Sequence, residues 1–242
     1  MSLEQVRALT FDVFGTVVDW RSSVIRQCTE LGARLGIETD WDAFVDDWRY
    51  DGYIGGIGKV IRGDLPFMTT DQLHRRKLEE MFAQRGFTGL SEAQLTEFNT
   101  TWHRLDPWPD AVSGLARLRT RFIVSTLSNG NFSLLVDMAK YAGLPWDCVI
   151  SADVTGAFKP APECYLAAAR FLDLAPAQVM MVAAHKNDLQ AAQGAGLQAA
   201  FVPRIAEAGP NRKVDLTPDP AFQVIATDFE DLAHKLGCPP SS

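Results

Sequence analysis

An aspartate stands at the end of the first apolar run of the chain, where its carboxylate is placed to do chemistry. Asp12 directly follows residues 8–11, and Gly15 and Thr16 come just after it. Open parallel sheets place their active sites at the carboxyl ends of strands, and a glycine there permits a sharp turn. A carboxylate in this position is suited to act as a nucleophile that forms a covalent intermediate.

Three further polar segments follow later apolar runs. Ser128 and Asn129 precede a predicted helix, where a hydroxyl and backbone N–H groups either form an anion site or simply cap the helix. Lys159 precedes a proline, which keeps its ammonium on a turn, either facing the site or solvated. His185 and Asp188 follow another strand, and Asp188 is a helix cap in the alternative interpretation. Because parallel strands end at one edge of a sheet, these segments should converge on the first aspartate.

Short apolar runs that alternate with helical patterns position these residues. The predicted strands span 8–11, 122–127, 148–150, 179–182 and 199–202. Helices are predicted over 132–142, 162–172 and 188–195, and Gly143 followed by Pro145 marks the end of the first. This alternation predicts an α/β fold built on a doubly wound parallel sheet.

The region from residue 18 to 105 breaks the alternation and contains no convincing strand. Its patterns predict helices over 22–35, 41–54, 71–84 and 92–104, the last opened by a capping box that starts at Ser91. We therefore predict an α/β core domain of residues 1–17 and 106–242 and a helical cap domain of residues 18–105, inserted after the first strand. Such a cap would lie over the strand ends and exclude water from the site.

Composition restricts the functional classes. The chain has 242 residues, 47% of them hydrophobic, and a net charge of -7, so no broad nucleic-acid-binding surface is expected. The four cysteines match no zinc or redox spacing. No apolar stretch approaches the ~20 residues that span a bilayer. We expect a cytoplasmic protein with free thiols and with neither a nucleic acid nor a membrane as partner.

Four motifs stand in a recognisable order along the chain: Asp12-x-Phe14-Gly15-Thr16, Ser128-Asn129-Gly130, Lys159-Pro160 and Asp188. With them the chain resembles the haloacid dehalogenase superfamily, and within it the type II 2-haloacid dehalogenases. The resemblance spans nearly the whole chain and implies a Rossmann-like core with a cap. It also implies hydrolysis of small 2-haloacids to 2-hydroxy acids and halide, with no cofactor and no metal. Members of this group are often homodimers.

The resemblance assigns roles to individual residues. Asp12 would be the nucleophile, and the positive charge of Lys159 would keep it ionised. Ser128-Asn129 and the neighbouring amides match the group that holds the substrate carboxylate. In the cap, Trp48-Arg49 resembles the segment whose arginine contacts the substrate or the departing halide.

Thr16 and Asp188 complete the predicted catalytic group, and Tyr165 falls at a position that the dehalogenases use for substrate. Where the best-known L-2-haloacid dehalogenases carry Ser and Asn, this chain has Ala183 and His185. We predict that His185, as a neutral imidazole, takes over their role as hydrogen-bond partner or general base for the hydrolytic water.

Two positions argue against phosphate chemistry. Superfamily phosphatases use a second aspartate to protonate an alkoxide leaving group, and Phe14 stands in its place. They also hold Mg²⁺ partly through an aspartate at the position matched by Ala184. Chloride and bromide are weak bases that leave without protonation. Loss of both groups together therefore favours dehalogenation, with Phe14 lining the substrate site.

Two other interpretations stay open: a phosphohydrolase with atypical motifs, and a non-catalytic protein that binds a small carboxylate. The halogen, fluoride included, the length of the acid and the stereopreference also stay open. His74, His103 and His234 lie in helical surface patterns and are assigned no role.

Overall fold

The computed structural model describes residues 3–207, 209, 212 and 214–240. At its centre lies a five-stranded parallel sheet with the strand order β4-β1-β5-β6-β7. The strands are β1 (Ala8–Phe11), β4 (Ile123–Thr126), β5 (Val179–Ala183), β6 (Gln198–Phe201) and β7 (Val224–Ile225). The predicted α/β fold with a parallel sheet is confirmed.

The central strand β1 is buried on both of its faces. Thr10 lies opposite Ser125 of β4 on one side and Met181 of β5 on the other. Leu9 and Phe11 belong to one hydrophobic cluster and Ala8 to a second, because alternate side chains of a strand point to opposite faces. A strand covered on both faces reads as a continuous apolar run, which is why β1 was visible in the sequence.

Helices cover both faces of the sheet and join its strands. They are α6 (Ala111–Arg119), α7 (Phe132–Ala142), α8 (Ala152–Thr155), α9 (Pro162–Phe171), α10 (Lys186–Gly194) and α11 (Phe229–Lys235), with short 3₁₀ turns at Leu3–Gln5 and Pro176–Gln178. None of the described helices combines the length and the hydrophobicity that crossing a bilayer requires.

Between β1 and β4 the chain forms a group of helices. They are α1 (Trp20–Leu35), α2 (Trp41–Asp47), a π-helical segment (Trp48–Ile54), α3 (Gly55–Ile61), α4 (Thr70–Gln84), α5 (Glu92–Asn99) and a 3₁₀ turn (Thr100–His103). The predicted capping box is present at Ser91, whose hydroxyl accepts from Gln94 N. The division of the chain into two domains at residues 17 and 105 stays a prediction.

A short antiparallel pair joins the two ends of this helical region. In it β2 (Val18–Asp19) pairs with β3 (Asp106–Pro107). The expectation of no strand from residue 18 to 105 was therefore wrong at Val18 and Asp19. A strand of two residues is too short to show the alternation of apolar and polar residues that predicts a strand.

Other boundaries differ from the prediction for identifiable reasons. Over the predicted strand 148–150 only Cys148 forms a bridge, with Ser125, while the Thr126 hydroxyl accepts from Ile150 N and donates to Ile150 O at 2.9 Å. These side-chain bonds take the place of ladder bonds. The helix predicted over 41–54 changes to the wider π-helical winding at Trp48, and the one over 92–104 ends as a 3₁₀ turn. Helices α6 and α11 and strand β7 were not predicted.

Candidate active site

Asp12 leaves the end of β1 in the middle of the sheet edge. Its backbone N–H donates to Val182 O of β5, which continues the ladder one residue beyond the strand. Gly15 then turns the chain with φ +84°, a conformation that L side chains rarely adopt. The turn brings Thr16 back over Asp12. The Thr16 hydroxyl donates to Asp12 Oδ2 at 2.8 Å and accepts from Ala184 N at 3.0 Å.

The Asp12 carboxylate is buried and held by three groups. Lys159 Nζ donates to Oδ1 at 3.0 Å, while Thr16 and His185 Nδ1 contact Oδ2, the latter at 3.1 Å. Burial raises the pKa of the carboxyl group, but the charge of Lys159 and the contacts with His185 and Thr16 outweigh it. The pKa of Asp12 therefore lies well below its usual range, and the group is ionised at neutral pH.

Lys159 joins two carboxylates in the interior. Its Nζ lies 2.5 Å from Asp188 Oδ2 as well as 3.0 Å from Asp12, and Tyr165 OH donates to Asp188 Oδ1 at 2.6 Å. Burial disfavours the ammonium, but Asp12 and Asp188 outweigh it and raise the pKa of Lys159 above its ordinary value. Desolvation raises the pKa of Asp188, and Lys159 opposes this rise. The predicted residues Lys159, Asp188 and Tyr165 thus form one network beside Asp12.

The turn after β4 fixes the lysine. Asn129 Oδ1 accepts from Lys159 N at 2.7 Å and Asn129 Nδ2 donates to Lys159 O at 3.2 Å. Ser128 Oγ accepts from Gly130 N at 3.1 Å, so its hydroxyl supports the turn. Asn129 lines the cavity described below, whereas Ser128 lies outside its lining residues.

His185 lies between two carboxylates. Its Nδ1 faces Asp12, and its Nε2 lies 2.9 Å from both oxygens of Glu207, in the turn after β6. Burial lowers the pKa of the imidazole, but hydrogen bonds to Asp12 and Glu207 and their charges raise it to about 10. The predicted contact of His185 with Asp12 is present. The expected neutral imidazole is not, because this ring carries a proton at pH 7.

Arg49 is buried in an aromatic cage without an acidic partner among the described residues. Its guanidinium carbon lies 5.3, 5.1 and 4.3 Å from the ring centres of Phe14, Trp20 and Tyr53. The residue is 6% exposed, and its Nη1 has no hydrogen-bond partner. A buried cation in this state offers an unused donor and an uncompensated charge to an anion.

These groups surround a cavity of about 600 Å³ at the strand ends. Eight of the predicted site residues line it: Asp12, Phe14, Arg49, Asn129, Lys159, Tyr165, His185 and Asp188. Thr16 and Trp48 are fully buried outside the lining. Trp48 Nε1 donates to His74 O at 2.8 Å, so its indole supports the π-helical segment that carries Arg49.

The sequence did not identify Glu207 and Tyr53 as parts of the site. Glu207 is 7% exposed and accepts a hydrogen bond of 3.4 Å from Trp20 Nε1. It follows β6, whose carboxyl end reaches the same sheet edge as the other strands. That position is the one signal that points to it, because no motif surrounds it.

Comparisons with known proteins agree with this geometry. A family model described as haloacid dehalogenase-like hydrolase matches residues 6–196. The chain belongs to this family. A solved structure of the L-2-haloacid dehalogenase PA0810 is 44% identical, covers 96% of this chain and 98% of that one, and superposes with a TM-score of 0.91.

Other proteins similar to this chain include two dehalogenases and one phosphatase. The defluorinating L-2-haloacid dehalogenase Rha0230 is 43% identical, with 96% and 95% of the two chains covered and a TM-score of 0.92. A curated (S)-2-haloacid dehalogenase 1 from Pseudomonas sp. (strain CBS-3) is 27% identical over 84% of this chain and 87% of its own. A phosphoglycolate phosphatase from Neisseria meningitidis is 26% identical over 81% and 79%. The predicted superfamily and its 2-haloacid dehalogenase-like branch are confirmed.

Proposed function

We propose that this family member is a hydrolytic 2-haloacid dehalogenase that converts haloacetates or L-2-haloacids to 2-hydroxy acids and halide. One observation carries the proposal: an ionised Asp12 shares a cavity with Arg49, a buried cation that has no acidic partner among the described residues. A nucleophile and an anion site that share one cavity suit displacement of an anionic leaving group. The similarity to L-2-haloacid dehalogenases over nearly the full chain supports the same conclusion.

In the first step an Asp12 oxygen attacks the carbon that bears the halogen. The carbon–halogen bond breaks with its electron pair on the halide, and an ester of Asp12 forms. Arg49 receives the halide among the rings of Phe14, Trp20 and Tyr53. The rings exclude water from this position, so the charge of Arg49 stabilises the departing halide more strongly than it would in solution.

In the second step water attacks the carbonyl carbon of the Asp12 ester, the 2-hydroxy acid leaves and the carboxylate is restored. Lys159 on Oδ1 and the Thr16 hydroxyl on Oδ2 are positioned to stabilise negative charge that develops on either oxygen. His185 is the group at Asp12 that takes the proton of the water. Asn129 lines the cavity, and Ser128 precedes it in the same turn. We propose that this turn binds the substrate carboxylate.

The phosphatase alternative deserves weight because some relatives are phosphoglycolate phosphatases. In such enzymes Mg²⁺ is expected at this edge of the sheet, and the residues here do not fit it. Both Asp12 oxygens are engaged by Lys159, Thr16 and His185, and Ala184 supplies no oxygen ligand. The ring of Phe14 packs 5.4 Å from that of Tyr53, where a phosphatase needs its acid. Among the described residues, this sheet edge therefore offers neither the acid nor the aspartate in place of Ala184 that a phosphatase uses.

Two further expectations accompany the proposed function. We propose that the enzyme is cytoplasmic, as its composition and free cysteines suggest, and that it forms a homodimer as related dehalogenases often do. Size-exclusion chromatography with light scattering tests the second expectation, because a dimer and a monomer of 26.7 kDa separate clearly.

Halide release from chloroacetate, fluoroacetate and both enantiomers of 2-chloropropionate, in excess EDTA, tests the proposed function. We expect release by the wild type and none by Asp12→Asn, because an amide cannot act as this nucleophile. Asp64→Asn, on the exposed surface of the helical region, is the matched control and should retain full activity. Mg²⁺-dependent release of phosphate from phosphoglycolate, with no halide from any acid, would overturn the proposal. Binding of haloacids without turnover would favour the non-catalytic alternative.

A further inference from the structure

We propose that Glu207 is the positioning residue of His185, and that formation of the Asp12 ester converts His185 from a proton donor into the base of the second step. This inference rests on the proposed dehalogenase function. It assigns a role to a carboxylate that no motif of the chain marks, and it explains how a protonated imidazole can serve a reaction that needs a base.

The hydrogen bonds of His185 define its state in the free enzyme. Nδ1 lies 3.1 Å from Asp12 Oδ2, and Nε2 lies 2.9 Å from both oxygens of Glu207. A neutral imidazole has one N–H and one lone pair, and either tautomer would direct that lone pair at a carboxylate. An imidazolium instead donates to both carboxylates. The ring therefore holds two N–H groups before substrate reacts, and it cannot accept a proton from water.

Esterification removes one of the two acceptors that stabilise the imidazolium. The Asp12 carboxylate becomes a neutral ester, so the charge-assisted bond at Nδ1 is lost while the bond from Nε2–H to Glu207 persists. The Nδ1 proton then passes to solvent, which reaches His185 because its side chain is 32% exposed. What remains is a neutral ring with Nε2–H fixed on Glu207 and the Nδ1 lone pair facing the ester.

The protons of the second step balance with this assignment. Water adds its oxygen to the ester carbonyl carbon and gives one proton to His185 Nδ1. The bond between that carbon and the substrate oxygen then breaks. The departing alkoxide takes the proton of the newly formed Asp12 carboxyl group, which leaves a 2-hydroxy acid, the Asp12 carboxylate and the imidazolium. The net reaction consumes one water and releases one halide and one proton, the proton that left Nδ1 after the first step.

Glu207 is held firmly enough to fix the ring. It is buried, accepts from Trp20 Nε1 and packs against the turn after Asp12. A Cβ atom at Gly15 would lie 2.0 Å from Glu207 Oε1, so the glycine is needed for this contact as well as for its φ of +84°. Asp12 and Glu207 are the charged groups that contact His185, and Lys159 lies on the other oxygen of Asp12. Glu207 thus acts on the reaction through His185.

The test is Glu207→Gln with chloroacetate, followed by rapid quenching, intact-protein mass spectrometry and steady-state kinetics. We expect the first stoichiometric release of chloride to stay within about threefold of the wild type. Steady-state turnover should fall about 100-fold, the typical contribution of a positioned base. The quenched variant should carry a carboxymethyl group on Asp12, and its pH profile for ester hydrolysis should shift to lower pH. Glu207→Asp should recover much of the turnover.

Glu230→Gln is the matched control, because Glu230 is also ion-paired, with Arg117, but lies outside the cavity lining. It should behave as wild type in every arm. Two results would overturn the assignment of Glu207: unchanged turnover in Glu207→Gln, or an equal fall of the first chloride release and of turnover without an adduct. Absence of chloride release from the wild type would refute the proposed function itself, and this inference with it.

Discussion

Replacement of Lys159 by methionine should destabilise the protein severely, because the Lys159 ammonium contacts both Asp12 and Asp188. The ammonium lies 3.0 Å from Asp12 Oδ1 and 2.5 Å from Asp188 Oδ2, and all three side chains are buried. Methionine fills a similar volume but leaves two carboxylates in the interior without that cation. Removal of one partner from a buried ion pair typically costs about 3–5 kcal/mol. For a chain of this length the cost corresponds to a fall in Tm of roughly 10 °C.

The double variant Lys159→Met with Asp188→Asn isolates the cause. Asparagine keeps the acceptor for Tyr165 but removes one of the two charges. We expect it to recover about 1–3 kcal/mol of the loss, since the two sites are coupled. Urea unfolding at pH 7 measures each variant, and Lys140→Met, at an exposed lysine of α7, should change stability by less than about 0.5 kcal/mol. A loss below about 1 kcal/mol for Lys159→Met, or no recovery in the double variant, would mean that the Lys159 ammonium does not offset the buried charges of Asp12 and Asp188.

Three further predictions concern individual groups of the site. In thermal unfolding, with gluconate as the reference anion, bromide at ten times its Kd should stabilise the wild type by about 1.4 kcal/mol. The variant Arg49→Met should show no such gain. Equal stabilisation of both proteins would mean that the halide does not bind at Arg49. The pKa of His185 is raised from 6.5 to about 10, so its contribution to stability is full below pH 6.5 and is lost as the pH rises towards 10. Between pH 7 and 10 the free energy of unfolding in urea should therefore fall by about 2 kcal/mol more for the wild type than for His185→Asn. This value is smaller than the full pKa shift would give, because the ring is partly exposed to solvent. Parallel pH curves for the two proteins would contradict the prediction. Thr16→Val removes the hydroxyl that bonds the Ala184 N–H and one Asp12 oxygen, and it should lower the free energy of unfolding by about 1–3 kcal/mol. Thr29→Val, at an exposed position of α1, should change it little. Equal losses would contradict the role of the Thr16 hydroxyl.

The convergence of Asp12, Lys159, His185 and Asp188 was predictable because each follows an apolar strand or the turn beside one. Parallel strands bring their carboxyl ends to a single edge, so order along the chain translates into proximity. The hydrogen-bonding partners of these residues were harder to predict from the sequence. The protonation state of His185 depends on Glu207, which a distant turn supplies, and no local pattern encodes that contact.

In the helical region, the sequence did not predict which side chains are buried. His74 and His103 were predicted at the surface, but both are buried. His74 stacks on Trp102 with ring centres 4.2 Å apart, and His103 bridges Asp71 and Asp137. Their helices carry polar residues on more than one face, so periodicity alone does not reveal which face is covered. The cage of Arg49 is likewise assembled from separate elements, and the sequence marks the arginine but not the rings around it.

The position of the solvent oxygen after one turnover shows whether Asp12 is the nucleophile. Wild-type enzyme in excess over L-2-chloropropionate reacts once in H₂¹⁸O, and peptide mass spectrometry then locates the label. We expect ¹⁸O in the peptide that contains Asp12 and none in the 2-hydroxy acid, because water attacks the carbonyl carbon of the ester. Label in the 2-hydroxy acid with none in Asp12 would mean that water displaces the halide directly, and it would contradict the assignment of Asp12 as the nucleophile.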